Sequence, residues 1–179
     1  MKKIITMFAF ILSAISLFAN TTSIPSDFDK MKVGESCIPN WINQDAKNPD
    51  CGVGSIIAGT DEKQPFFNVK TDKIDTSFYQ ETMIPAKPGD ALIFRITAKG
   101  KGKISVGCYG YTAAGKNFPL PRRLRTFDVK ENSSSFRAVI ALSDKGRLPL
   151  GKIRPCFTIH KDSDITIEKI ELSYFANNK

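Results

Sequence analysis

Tyr109 and Tyr111 stand two residues apart in the run Lys103–Tyr111, where Ile104, Val106 and Cys108 take the alternate positions. Successive side chains of a strand point to opposite faces, so the two phenols share one face and the apolar set the other. Paired aromatic rings among hydrogen-bonding groups suit a saccharide, which offers apolar C–H faces inside a rim of hydroxyls. If Gly100-Lys101-Gly102 turns as a hairpin, Arg95 and Lys99 of the preceding run fall on the tyrosines' face. A guanidinium there would grip the carboxylate of an anionic sugar bidentately. The competing structural reading is a loop or second layer packed over half-buried tyrosines. Tyr79 and Trp41 are weaker candidates, since a lone Trp in a cysteine-flanked loop reads first as a core anchor. Two basic clusters, Lys99-Gly-Lys101-Gly-Lys103 and Arg122-Arg123-Leu-Arg125, offer contacts to an acidic glycan. The lysine run equally fits a solvated hairpin tip that guards a sheet edge.

The inventory for catalysis is thin. The single histidine, His160, lies near a strand end in Phe157-Thr-Ile-His160, and a lone imidazole needs partners to act as a base. The chain carries no nucleophile elbow, Gly-rich phosphate loop or paired-His metal motif. Glycosidases need two carboxylates across the scissile bond, and no alternating acidic strand supplies them. The expectation is a chain that is not an enzyme. The remaining catalytic arrangement is a small polysaccharide lyase or hydrolase using Tyr109 or Tyr111 with Arg95 and His160.

Export sets the context for the cysteines. Met1-Lys2-Lys3 precedes the apolar run Ile4–Phe18, interrupted by Thr6, Ser13 and Ser16; Ala19 and a polar stretch follow. These are the three parts of a secretory signal peptide, and the run falls short of the ~20 residues of a spanning helix. Cleavage after Ala19 divides the chain into 1–19 and a mature 20–179, periplasmic or extracellular, without a transmembrane segment. The formal charge falls from +8 to +6, with 24 basic residues against 18 acidic. A moderately basic exported domain suits an anionic partner or simply stays soluble; a nucleic-acid partner is not expected. Cys37, Cys51, Cys108 and Cys156 are too far apart for zinc pairs and read as disulfides in an oxidising compartment. Of three pairings, Cys37–Cys51 would close the irregular N-terminal loop and Cys108–Cys156 would join two strands.

The elements that must position these groups are short strands. Alternation and turn residues predict Ser55–Ala58, Phe66–Val69, Ser77–Met83, Ala91–Lys99, Lys103–Tyr111, Arg123–Val129, Phe136–Leu142, Ile153–His160 and Ile165–Phe175. Residues 21–54 read as turn-rich segment and loop, and Thr112–Arg122 as loop. No mature stretch keeps a helical period, so an all-β antiparallel sandwich or barrel is expected.

Pro88-Gly89-Asp90-Ala-Leu-Ile-Phe94, Ala98-Lys99-Gly100-Lys101-Gly102-Lys103-Ile104-Ser-Val106 and Tyr109-Gly-Tyr111 resemble the central hairpin of jelly-roll carbohydrate-binding modules. These are galactose-binding-like domains found on bacterial xylanases and related enzymes. Ser163-Asp-Ile-Thr-Ile-Glu168-Lys169-Ile-Glu-Leu172 is similar to their last strand and Pro39-Asn40-Trp41 to their opening segment, so the resemblance spans about 35–175. It implies one jelly-roll β-sandwich domain over 20–179 that binds an oligo- or polysaccharide without catalysis and requires no cofactor. Some relatives hold a structural calcium with an acidic pair; here the pair is Glu168-Lys169, leaving Glu168 as the one candidate ligand. The alternative to a carbohydrate partner is a structural or adhesive sandwich that binds another protein.

Overall fold

The computed structural model describes residues 21–60, 64–118, 124–143 and 149–177. The expected signal peptide at 1–19 lies outside these residues, as do Arg122 and Arg123. Twelve strands follow in order: β1 Thr21–Ile24, β2 Trp41–Asn43, β3 Val53–Ile57, β4 Phe66–Thr71, β5 Thr76–Gln80 and β6 Ile84–Pro85. Then come β7 Ala91–Tyr111, β8 Asn117–Phe118, β9 Arg125–Val129, β10 Ser134–Ala141, β11 Lys152–Ile159 and β12 Ser163–Phe175. Every pairing is antiparallel.

One strand organises the molecule. The first half of β7 pairs with β10 and β12, and β4 and β3 extend that sheet beyond β12. Its second half pairs with β9 and β11, and β5 and β2 extend the other sheet beyond β11. The expected hairpin at Gly100-Lys101-Gly102 is therefore absent: the chain runs straight through and bends from one sheet into the other. Glycine is required at the bend because Gly100 and Gly102 hold φ of 127° and 128°. A Cβ at Gly100 would overlap the Asp164 carbonyl oxygen, and one at Gly102 would overlap Ser163. Glycine inside a strand commonly marks such a sharp bend or close backbone approach.

The two sheets face each other across a shared core. Leu92, Phe94, Ile96 and Ala98 from one half of β7 join Ile104, Val106 and Cys108 from the other, all buried. Phe67 of β4 meets Phe78 of β5 edge-on at 5.3 Å, which ties the layers together. Phe78 stacks on Phe157 at 5.0 Å, and Trp41 packs on Phe157 at 5.1 Å. Burying an aromatic side chain contributes about 1.5–3 kcal/mol each, so this cluster is a principal source of stability. At the end of the molecule, buried Asp90 accepts the amides of Lys87 and Asn177, both at 2.8 Å, and the Tyr174 hydroxyl. That latch satisfies the carboxylate and closes the C-terminal segment onto the start of β7.

β2 was not expected. The segment from Asn40 to Gly54 reads as loop because polar residues, Pro and Gly dominate it, yet Trp41–Asn43 forms the sheet's outer strand beside β5. The Trp41 ring decides this, since its burial at 4 % exposure requires the backbone to lie along the core edge.

Candidate functional site

Register on the second sheet brings together residues that are distant in sequence. Tyr109 of β7 sits directly opposite Arg154 of β11, Tyr111 opposite Lys152, and Cys156 opposite Tyr79 of β5. All of these share the face that points away from the core. Arg154 lies over two rings at once, 5.4 Å from the centroid of Tyr79 and 5.4 Å from that of Tyr111. Tyr79 and Tyr109 meet edge to face at 6.0 Å. The Tyr109 hydroxyl donates to Gln44 Oε1 at 2.5 Å, which ties the 40s loop to the rim. Gln44, Tyr79, Tyr109, Tyr111, Asn117 and Arg154 line a pocket of about 170 Å³.

Its electrostatics centre on Arg154. Arg154 Nε is buried and finds no hydrogen-bond acceptor among the described residues. Cation–π contacts hold the guanidinium in place without neutralising its charge. A fixed, half-buried guanidinium framed by three phenols presents planar donors and aromatic surface in one small volume.

The sequence-predicted residues divide. Tyr109, Tyr111 and Tyr79 meet in this pocket, with Tyr111 at 9 % exposure, so the face is partly closed. Arg95 and Lys99 do not join them. They belong to the half of β7 in the other sheet, whose outer face looks the opposite way. Arg95 Nη1 is 4.0 Å from Glu171, and Lys99 Nζ is 2.9 Å from Glu168 and lies over the Phe66 ring at 5.1 Å. Their assignment to the tyrosine face rested on the hairpin that the structure replaces with a continuous strand. Trp41 is a core anchor on the inner face, its Nε1 donating to the Ser26 carbonyl at 2.9 Å. Arg154, Gln44 and Asn117 were missed. Arg154 carried a legible signal as a charged residue at an outward position of the strand Ile153–His160, whereas Gln44 and Asn117 reach the pocket only through folding of their loops.

The disulfide expectation is corrected. None of the four cysteines forms a disulfide in the structure. Cys108 faces Pro155 across the β7–β11 pair and Cys156 faces Gly107, so the two thiols point to opposite faces of the sheet and cannot bridge. Cys108 belongs to the core, where burial pushes its pKa up to about 12. The Cys37 thiol donates to the Trp41 carbonyl at 3.1 Å, and Cys51 lies 3.9 Å from the Asn43 amide nitrogen. Glu168 sits at the bulge of β12 between Ile167 and Lys169. Its carboxylate takes the Ser133 hydroxyl at 2.5 Å and the Lys99 ammonium. The Lys99 ammonium is thus the cation paired with Glu168, and the described residues contain no cluster of three acidic, His or Cys side chains suited to a metal.

His160, unpartnered in the sequence reading, has partners in the fold. Its Nδ1 is 3.0 Å from Asp75 Oδ2 and its Nε2 is 2.6 Å from Ser105 Oγ. The set lies on the same sheet as the tyrosine pocket and outside its lining.

No protein-family model matches the sequence, and no curated protein matches it. Solved structures do match in shape. A Stig cyclase, Fisc, from Fischerella sp. TAU aligns at TM-score 0.62 with 10 % identity, over 88 % of this chain and all of its own. An apo cyclase from Fischerella sp. aligns at 0.61 with 9 % identity, over 90 % of this chain and all of its own. An arabinose-bound α-L-arabinofuranosidase aligns at 0.57 with 9 % identity, over 87 % of this chain and 26 % of its own. The chain shares the all-β fold of these proteins. The likenesses also overturn the expectation that the chain is not an enzyme. That expectation rested on the absence of recognisable catalytic motifs, and proteins named as cyclases are built on the same architecture over the whole of their chains.

Proposed function

We propose that the chain is an exported, single-domain jelly-roll protein of the galactose-binding-like type that binds a saccharide in the Tyr79/Tyr109/Tyr111 pocket. The observation that carries the reading is Arg154, fixed between the rings of Tyr79 and Tyr111 with no carboxylate partner among the described residues. Such a group selects a ligand that combines an apolar ring face with an anionic or strongly polar substituent, as a uronic acid does. At about 170 Å³ the pocket is smaller than the ~300–1,000 Å³ of drug-sized sites, which fits one sugar unit held at the surface. The arabinose-bound arabinofuranosidase shares this fold over 26 % of its own chain, and fold alone does not assign a saccharide.

The test is a binding screen of the purified chain against neutral and uronic-acid polysaccharides, with Arg154→Met and Tyr109→Ala alongside. Binding of an acidic polysaccharide that weakens about 10–100-fold in Arg154→Met, the worth of a lost charge-assisted hydrogen bond of about 1.5–3 kcal/mol, supports the reading. Unchanged binding in both variants refutes the pocket, and no binding to any glycan refutes the ligand class.

A further inference from the structure

A second polar assembly crosses this sheet two rows from the tyrosines, and its hydrogen bonds run in one direction. Ser105 of β7 sits opposite Thr158 of β11 on one side and Thr126 of β9 on the other. Ser105 Oγ is 2.8 Å from Thr126 Oγ1 and 2.6 Å from His160 Nε2, and His160 Nδ1 is 3.0 Å from Asp75 Oδ2. A carboxylate accepts and does not donate, so Asp75 fixes the imidazole proton on Nδ1. With the imidazole neutral, Nε2 then accepts from Ser105, and Ser105 Oγ, having given its proton inward, accepts from Thr126. All three protons point towards Asp75, and the lone pairs of Thr126 Oγ1 are left facing outward.

Exposure runs the same way. Ser105 is fully buried at 0 %, so it cannot itself meet a substrate, whereas Thr126 is exposed. The Ser–His–Asp geometry is that of an activated nucleophile, displaced outward by one hydroxyl. A buried serine requires only one partner to be satisfied. Thr158, directly opposite, instead bonds Ser77 at 2.9 Å, and Ser105 is committed to the line that joins Thr126 to His160.

We propose that Thr126–Ser105–His160–Asp75 is a proton relay that makes Thr126 a nucleophile towards small acyl esters. Thr126 Oγ1 attacks the ester carbonyl carbon while its proton passes to Ser105 and that of Ser105 passes to His160, forming an imidazolium held by Asp75. The acyl C–O bond breaks and the departing alcohol takes a proton back through the relay. Water then repeats the sequence on the threonyl ester, releasing the carboxylic acid and restoring Thr126. Thr126 stands on the exposed sheet face, open to a small acyl ester. Lys103 lies on the same face in the next row, 3.8 Å from Asp128. This activity stands independently of saccharide binding.

The experiment treats the purified chain with a small alkyl fluorophosphonate, which forms a P–O bond and releases fluoride, and maps the adduct by peptide mass spectrometry. p-Nitrophenyl acetate hydrolysis is followed in parallel across pH. The relay predicts a single adduct at Thr126, abolished in Thr126→Val and retained in Thr126→Ser. It also predicts labelling and hydrolysis about 10²–10⁴-fold slower in His160→Gln, the range for loss of general acid–base catalysis, and slower in Asp75→Asn. Thr126 and Asp75 are exposed, so their variants keep the fold, which circular dichroism checks. No adduct in the wild type, an adduct confined to tyrosine or lysine, or equal rates in Asp75→Asn, Thr126→Val and wild type would each overturn the proposal.

Discussion

Replacing Gly100 by alanine tests the feature on which the site's composition depends, the uninterrupted β7. At φ +127° an L-residue occupies a region that is essentially glycine-only, at a cost of about 1–3 kcal/mol. The added methyl would also overlap the Asp164 carbonyl oxygen and crowd Ile165 Cα. These are backbone atoms of the paired strand, held by the ladder and unable to rotate away. Forcing such a shift adds about 1–3 kcal/mol, for roughly 2–6 kcal/mol in all, a large part of the ~5–15 kcal/mol of a typical domain. At about 2–4 °C per kcal/mol for a chain of this size, the melting temperature should fall by roughly 4–24 °C. Urea unfolding measures the same loss as a shift in midpoint at unchanged slope, with the exposed neighbour Lys101→Ala as control. A hairpin tip would leave the methyl in solvent and cost only the left-handed backbone penalty of about 1–2 kcal/mol. A loss under about 2 kcal/mol in Gly100→Ala, the range of a hairpin tip, would refute the continuous strand, and with it the removal of Arg95 and Lys99 from the tyrosine face.

Further outcomes follow from the same structure. Alkylation of the unreduced, denatured chain should modify both Cys108 and Cys156, while the native chain at neutral pH should leave Cys108 unmodified, because the thiol is buried and titrates near 12; a Cys108–Cys156 bridge in the mass spectrum would refute the β7–β11 register. Partial burial raises the Glu168 pKa, but the Ser133 hydroxyl and the Lys99 ammonium outweigh it and hold the group below its ordinary 4.5. A depressed carboxylate stabilises the fold above its unfolded pKa and loses that contribution as pH falls through the folded value. The stability advantage of wild type over Glu168→Gln should therefore be full at pH 7, start to fall as pH drops past the unfolded value of about 4.3 and be lost as pH falls through the lower folded value, and a difference that does not change with pH would show that the Lys99 contact contributes nothing. Trp41→Ala should cost about 3–5 kcal/mol in chemical denaturation, as for a large buried aromatic; a loss below 1 kcal/mol would return Trp41 to the list of ligand-contacting residues.

Much of this was legible in the chain itself. Alternation placed Ile104, Val106 and Cys108 in the core and Tyr109 and Tyr111 on the reverse face, because a strand's side-chain period of two holds wherever the strand lies. The same rule located most of the strands. Period alone does not say which strand lies beside which, and there the sequence stopped. Gly100-Lys101-Gly102 is locally compatible with a turn or a bend, and only the close approach of Ser163–Ile165 makes it a bend. That one decision sends Arg95 and Lys99 to the far side of the molecule and brings Arg154, 45 positions beyond Tyr109, directly opposite it. Register separated Cys108 from Cys156 by parity, which spacing along the chain cannot show. His160 gained Asp75 and Ser105 from two other segments. Local chemistry determined the faces; long-range pairing, set by burial of the shared aromatic core, determined which faces meet.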